Sequence, residues 1–132
     1  MKITPDTNVL VRILVEDDEQ QKNLAEAELA KAEVIALTLP TLCELVWVLA
    51  RGYHKPSVQI AEAIRRLMNS EKVAVNRPAA EAGLALLDAG GDFADGIIAY
   101  EGNWLGADTF ISFDKKAVKL MEAQGGSVRV LA

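Results

Sequence analysis

Apolar positions along the chain switch between helical spacing and short continuous runs, and that switching predicts its elements. Met1–Thr4 has the length of a first strand and ends near Pro5-Asp6. Val9–Leu14 reads as a helix, and Glu19–Lys31 as a second, more polar one. Val34–Leu37 is a short apolar run suited to a buried strand. Pro40 opens a strongly apolar helix reaching Arg51-Gly52, and Lys55-Pro56-Ser57 starts another with apolar positions at Val58, Ile60, Ala61, Ile64 and Leu67-Met68. Val73–Val75 is a short strand, Ala79–Leu87 a helix closed by Gly90-Gly91, and Asp92 to about Asn103 a further helix. Thr109–Phe113, Lys115–Ala123 and Ser127–Leu131 complete the chain as strand, helix and strand. Strands alternating with helices predict an α/β fold whose parallel sheet is covered by helices on both faces. Ligands in such folds bind beyond the carboxyl ends of the strands. Asp6 follows the first strand and Asp114 follows Thr109–Phe113.

Length changes little in this picture: 132 residues suffice for one domain over 1–132. Composition changes more. Hydrophobic residues make up 51% and aromatics only 5%, which favours an aliphatic core, with Trp47 and Trp104 expected inside it. One cysteine, Cys43, permits no internal disulfide and is expected as a small core residue. With a single Cys and a single His (His54, at a helix end beside its terminal carbonyls), a Cys/His metal cluster is excluded. Any metal must be held by oxygen, which means a hard ion such as Mg2+ or Mn2+. Met1–Leu10 carries no signal peptide and no apolar run is long enough to cross a bilayer, so a cytoplasmic protein without membrane association is expected. A net charge of −5 argues against broad nonspecific nucleic-acid binding, unless the negative charge is concentrated at a metal site.

The acidic residues are the candidates for chemistry. Glu44 is the only charge between Thr38 and Ala50, in a helix whose apolar residues surround the axis. It is either a metal ligand or a carboxylate with one basic partner or a narrow solvent stripe. Asp6 and Asp114 each precede a helix and are read either as caps or as ligands. Asp92 and Asp95 stand three apart and repel. Capping explains Asp92 well and Asp95 less well. Thr7, Asn8 and Ser112 adjoin these acids as hydroxyl or amide supports. Several carboxylates in one cleft are stable only with cations between them, and an all-carboxylate site suits phosphoryl chemistry.

Four segments then resemble, in order, the motifs of the PIN-domain nucleases and, within them, the VapC-like toxins of toxin–antitoxin pairs: Asp6-Thr7-Asn8-Val9-Leu10-Val11-Arg12, Leu42–Leu49, Asp92–Ala99 and Ser112-Phe113-Asp114-Lys115. The resemblance implies a three-layer α/β/α sandwich with a central parallel sheet, and a metal-dependent endoribonuclease. Asp6, Glu44, Asp95 and Asp114 would be its acidic quartet, and Asp92 a secondary ligand. It also implies an RNA substrate, a homodimer and a cognate antitoxin protein. Ser112 stands where the family commonly has Thr, and Pro5 precedes the first acid; neither departure removes a carboxylate. Two alternatives remain at this stage. One is a catalytically inactive interaction domain whose acids merely cap helices. The other is an aspartyl-phosphate enzyme with Asp6 as nucleophile, which would want an acid where Asn8 stands.

Overall fold

The computed structural model describes residues 1–132 as two compact units, Met1–Asn76 and Arg77–Ala132. The first begins with strand β1 (Lys2–Ile3), followed by helices α1 (Thr7–Leu14) and α2 (Glu19–Lys31). Strand β2 (Val34–Ala36), helix α3 (Leu39–Trp47), a π-helical turn (Val48–Gly52), helix α4 (Ser57–Met68) and strand β3 (Val73–Ala74) complete it. The strands lie in the order β1-β2-β3, all parallel, with Ile3 opposite Ile35 and Ile35 opposite Val73. The second unit runs α5 (Arg77–Asp88), α6 (Phe93–Trp104), β4 (Phe110–Ser112), α7 (Lys115–Ala123) and β5 (Val128–Val130). Its strands are also parallel, joined by α7, with Ile111 opposite Arg129. Every strand pairing is therefore parallel, as helical crossovers require.

Local chemistry accounts for the helix starts. Asp6, Asp18, Thr38, Asp92 and Asp114 each accept a backbone N–H from the first turn of the helix they precede. Cores form where helical spacing predicts them. In the first unit Leu10, Val11, Leu42, Leu45, Ile60, Ile64 and Met68 are fully buried, and in the second Phe93, Leu84 and Leu86. Helices α5 and α6 pack closely because Gly83 and Gly96 sit at their crossing. A Cβ on Gly83 would come 2.9 Å from the Phe93 ring, and one on Gly96 would come 2.8 Å from the Gly83 Cα.

Three expectations are corrected. Trp47 and Trp104 are 61% and 81% exposed rather than core. The buried side of α3 and its π extension is the Leu42, Leu45, Val46, Leu49 stripe, and Trp47 lies across the axis from it. Cys43 is half-buried, flanking that stripe instead of lying in the core. The His54 side chain makes no hydrogen bond to helix-terminal carbonyls; it is exposed with φ at 53°, and the Lys55 N–H reaches the Leu49 carbonyl instead. The apolar helix from Pro40 also ends differently from an α-helix. Its last residues widen into the π turn, closed by the Tyr53 N–H on the Val48 carbonyl at 3.2 Å. No helix is long and apolar enough to cross a membrane.

Candidate active site

In the first unit β1 and β2 are parallel neighbours, so the chain leaves both at the same edge of the ladder. Asp6 lies three residues beyond Ile3, and its Oδ1 accepts the Val9 N–H at 3.1 Å, capping α1. Thr38 caps α3 just beyond β2, and Glu44 follows within that helix. Helices α1 and α3 pack on each other. Glu44 is exposed, so the expectation of a carboxylate enclosed by an apolar helix does not hold. It shares the outward face of α3 with Trp47, three residues on. It makes neither an ion pair nor a hydrogen bond, so of the two structural readings the basic partner is absent and the solvent-facing stripe is what the structure shows. Thr7 is buried at 6% exposure, whereas Asn8 points to solvent.

In the second unit Asp114 lies just beyond β4 and caps α7, its Oδ1 accepting the Lys116 N–H at 3.0 Å and the Ala117 N–H at 3.2 Å. The Ser112 hydroxyl accepts the Asp114 N–H at 2.9 Å and so fixes the backbone that carries this acid. Asp92 caps α6 through Oδ1, which accepts the Ala94 N–H at 3.0 Å. Asp95, in the first turn of α6, is half-buried and has no hydrogen bond or ion pair. Burial first, then the charges of Asp92 and Asp114, push its carboxyl above the ordinary Asp value. A first-turn acid ordinarily gains about 0.3–1 kcal/mol as an anion from the helix dipole. The upward direction means that burial and two like charges outweigh that gain.

The two readings of these aspartates are compatible. In Asp6, Asp92 and Asp114 the capping bonds all go to Oδ1, and Oδ2 accepts nothing from the protein. One oxygen holds a helix start while the other remains available to a cation. The donors are all oxygen and carry no compensating Lys or Arg, which fits a hard divalent ion. No three acids stand in an arrangement that could hold a metal ion.

The family model of the PIN domain matches residues 3–122, spanning all four acid-bearing segments. The chain belongs to the PIN domain family. The PIN fold is α/β with a parallel sheet, in agreement with the element order and the parallel ladders. PIN domains are generally nucleases that act on RNA, and they typically use divalent metal ions. No curated protein matches the chain.

One group of residues escaped sequence reasoning. Arg12 Nη1 donates to Asp17 Oδ1 at 2.6 Å, Arg12 Nη2 donates to the Tyr53 hydroxyl at 3.0 Å, and that hydroxyl donates to Asp17 Oδ2 at 3.0 Å. Arg12 lies within the first motif, yet no periodicity pairs it with a tyrosine 41 residues away.

Proposed function

We propose that this PIN domain, acting as one domain over residues 1–132, is a Mg2+- or Mn2+-dependent endoribonuclease and the toxin of a toxin–antitoxin pair. The observation that carries the reading is Asp95: a half-buried acid flanked by Asp92 and Asp114, with no basic side chain to balance them. A divalent ion beside these acids would relieve that unfavourable charge. The ligands we assign are Asp6 and Glu44 in the first unit and Asp95 and Asp114 in the second, with Asp92 as a secondary ligand. A divalent ion bound by them supplies charge stabilisation for an RNA phosphate and acidifies a water for attack. Ser112 holds the backbone of Asp114, while Thr7 and Asn8 flank Asp6. Unpaired acids of this kind also attract Arg or Lys side chains, which is the chemistry we assign to inhibition by a cognate antitoxin. A homodimer is supported by exposed apolar residues of the first unit, Trp47 and Val58. We place the protein in the cytoplasm, where a chain with a single cysteine, Cys43, keeps it as a thiol.

The test is cleavage of labelled RNA by purified protein. EDTA abolishes it, Mg2+ or Mn2+ restores it, and Ca2+ restores it poorly. Asp6→Asn, Glu44→Gln, Asp95→Asn and Asp114→Asn each lower the rate by about 10²–10³-fold, the loss expected when one stabilising group is removed. A folded Glu44→Gln protein with full metal-dependent cleavage would remove Glu44 from the site. RNA left intact with either ion would overturn the nuclease reading.

A further inference from the structure

The first unit contains a closed hydrogen-bonded triad that neither capping nor core packing explains. Arg12 stands in the last turn of α1, Asp17 in the loop that leaves that helix, and Tyr53 directly after the π turn that ends α3. Each member bonds the other two, and Arg12 and Asp17 bring opposite charges, so the contacts are charge-assisted. Arg12 is largely sheltered, its side chain 22% exposed.

The position of the triad matters because of how the two helices begin. Helices α1 and α3 start beyond adjacent parallel strands, so the β1–β2 ladder ties their near ends. The triad ties their far ends. The π turn makes this possible. One extra residue in a helical turn rotates everything after it by about 100° relative to an α-helix, and Tyr53 is the first residue beyond that turn. Between the two ties lie Asp6 at the start of α1 and Glu44 within α3.

We propose that Tyr53, through Arg12 and Asp17, is a positioning residue for the Asp6 and Glu44 carboxylates. It fixes the rotation of α3 against α1 and so sets the two acids for a divalent ion. This rests on the metal site proposed above. Tyr53 touches neither acid; it acts through the helices that carry them.

The test is Mn2+ titration by calorimetry, below the melting transition, of wild type, Tyr53→Phe, Asp17→Asn and Ile64→Val. Ile64 is fully buried in α4 and outside the triad, so its variant lowers stability without touching the tie. Tyr53→Phe is expected to weaken Mn2+ binding about tenfold, the lower end for lost supporting contacts around a metal. Its kcat should fall while the KM for RNA stays within about twofold, because Tyr53 acts on the metal acids and not on the substrate. Asp17→Asn keeps one acceptor oxygen and sets an NH2 donor against the other donor, so it breaks one of the two bonds and should also weaken Mn2+ binding; it provides the reading if Tyr53→Phe does not fold. Unchanged Mn2+ affinity in a destabilised Tyr53→Phe or Asp17→Asn protein overturns the positioning role. So does an equal loss in Ile64→Val. Wild type that binds no Mn2+ overturns the metal site itself, and the inference with it.

Discussion

Asp95→Asn gives opposite signs of stability change with and without metal. In the metal-free protein the Asp95 anion is opposed by burial and by Asp92 and Asp114. Each like-charge neighbour is worth a few tenths of a kcal/mol, so removing the charge relieves about 0.5–1 kcal/mol at low salt. For a chain of this size that is a rise of roughly 2–3 °C in Tm. The sign with pH follows from linkage. A carboxyl raised above its unfolded value binds more protons folded than unfolded, so stability falls as pH climbs from the ordinary Asp value through the raised one. The variant's advantage is therefore full at neutral pH and vanishes below the ordinary Asp value. Salt shrinks the part that comes from Asp92 and Asp114. Manganese reverses the order. At a hundredfold excess over its Kd an ion that binds only the folded state adds about 2.7 kcal/mol, or roughly 8 °C, and the variant forfeits most of that gain. The assay is thermal unfolding by circular dichroism in EDTA and in Mn2+, at neutral and at acid pH. A variant no more stable than wild type in EDTA at pH 7 would refute the electrostatic account. A full Mn2+ rise in the variant would remove Asp95 from the metal site.

Gly96→Ala should be strongly destabilising, by about 1–3 kcal/mol, because the new Cβ would meet the Ala82 carbonyl oxygen and lie 2.8 Å from the Gly83 Cα; a Tm unchanged within 1–2 °C would show that α5 and α6 separate easily. Asp92→Ala should cost about 1 kcal/mol of stability through the lost cap, whereas Asp92→Asn keeps it, and both should retain more RNA cleavage than any variant of the quartet. Glu44→Gln should change stability by less than about 0.5 kcal/mol in denaturant titration, since this exposed side chain has no protein partner; a larger loss would reveal a structural role.

Caps and crossovers are readable in the sequence because they involve atoms a few residues apart. Glu19–Lys31 and Lys115–Ala123 form as predicted, and Asp6, Asp92 and Asp114 each cap the helix they precede. The order of the four acid-bearing segments was enough to suggest the family, and its match over residues 3–122 bears that out. Strand ends were less legible. Thr109–Phe113 shortens to Phe110–Ser112 because Asp114 and Ser112 close a local turn through the Asp114 N–H.

Helical periodicity states which residues share a face, but not which face meets the rest of the chain. In α3 apolar side chains surround the axis, and packing on α1 selects the Leu42, Leu45, Val46 side. Glu44 and Trp47 are left in solvent by that choice. The glycine contact between α5 and α6, the π turn before Tyr53 and the Arg12–Asp17–Tyr53 triad depend likewise on partners distant in sequence. So does the charge state of Asp95. Its spacing from Asp92 is local, but its burial and the Asp114 charge, 19 residues on, come from how α6 and α7 are placed within the second unit. Local chemistry thus determines where helices begin and where the acids stand along the chain. Burial and electrostatic neighbourhood decide what each acid experiences, because both are sums over groups that only folding brings near.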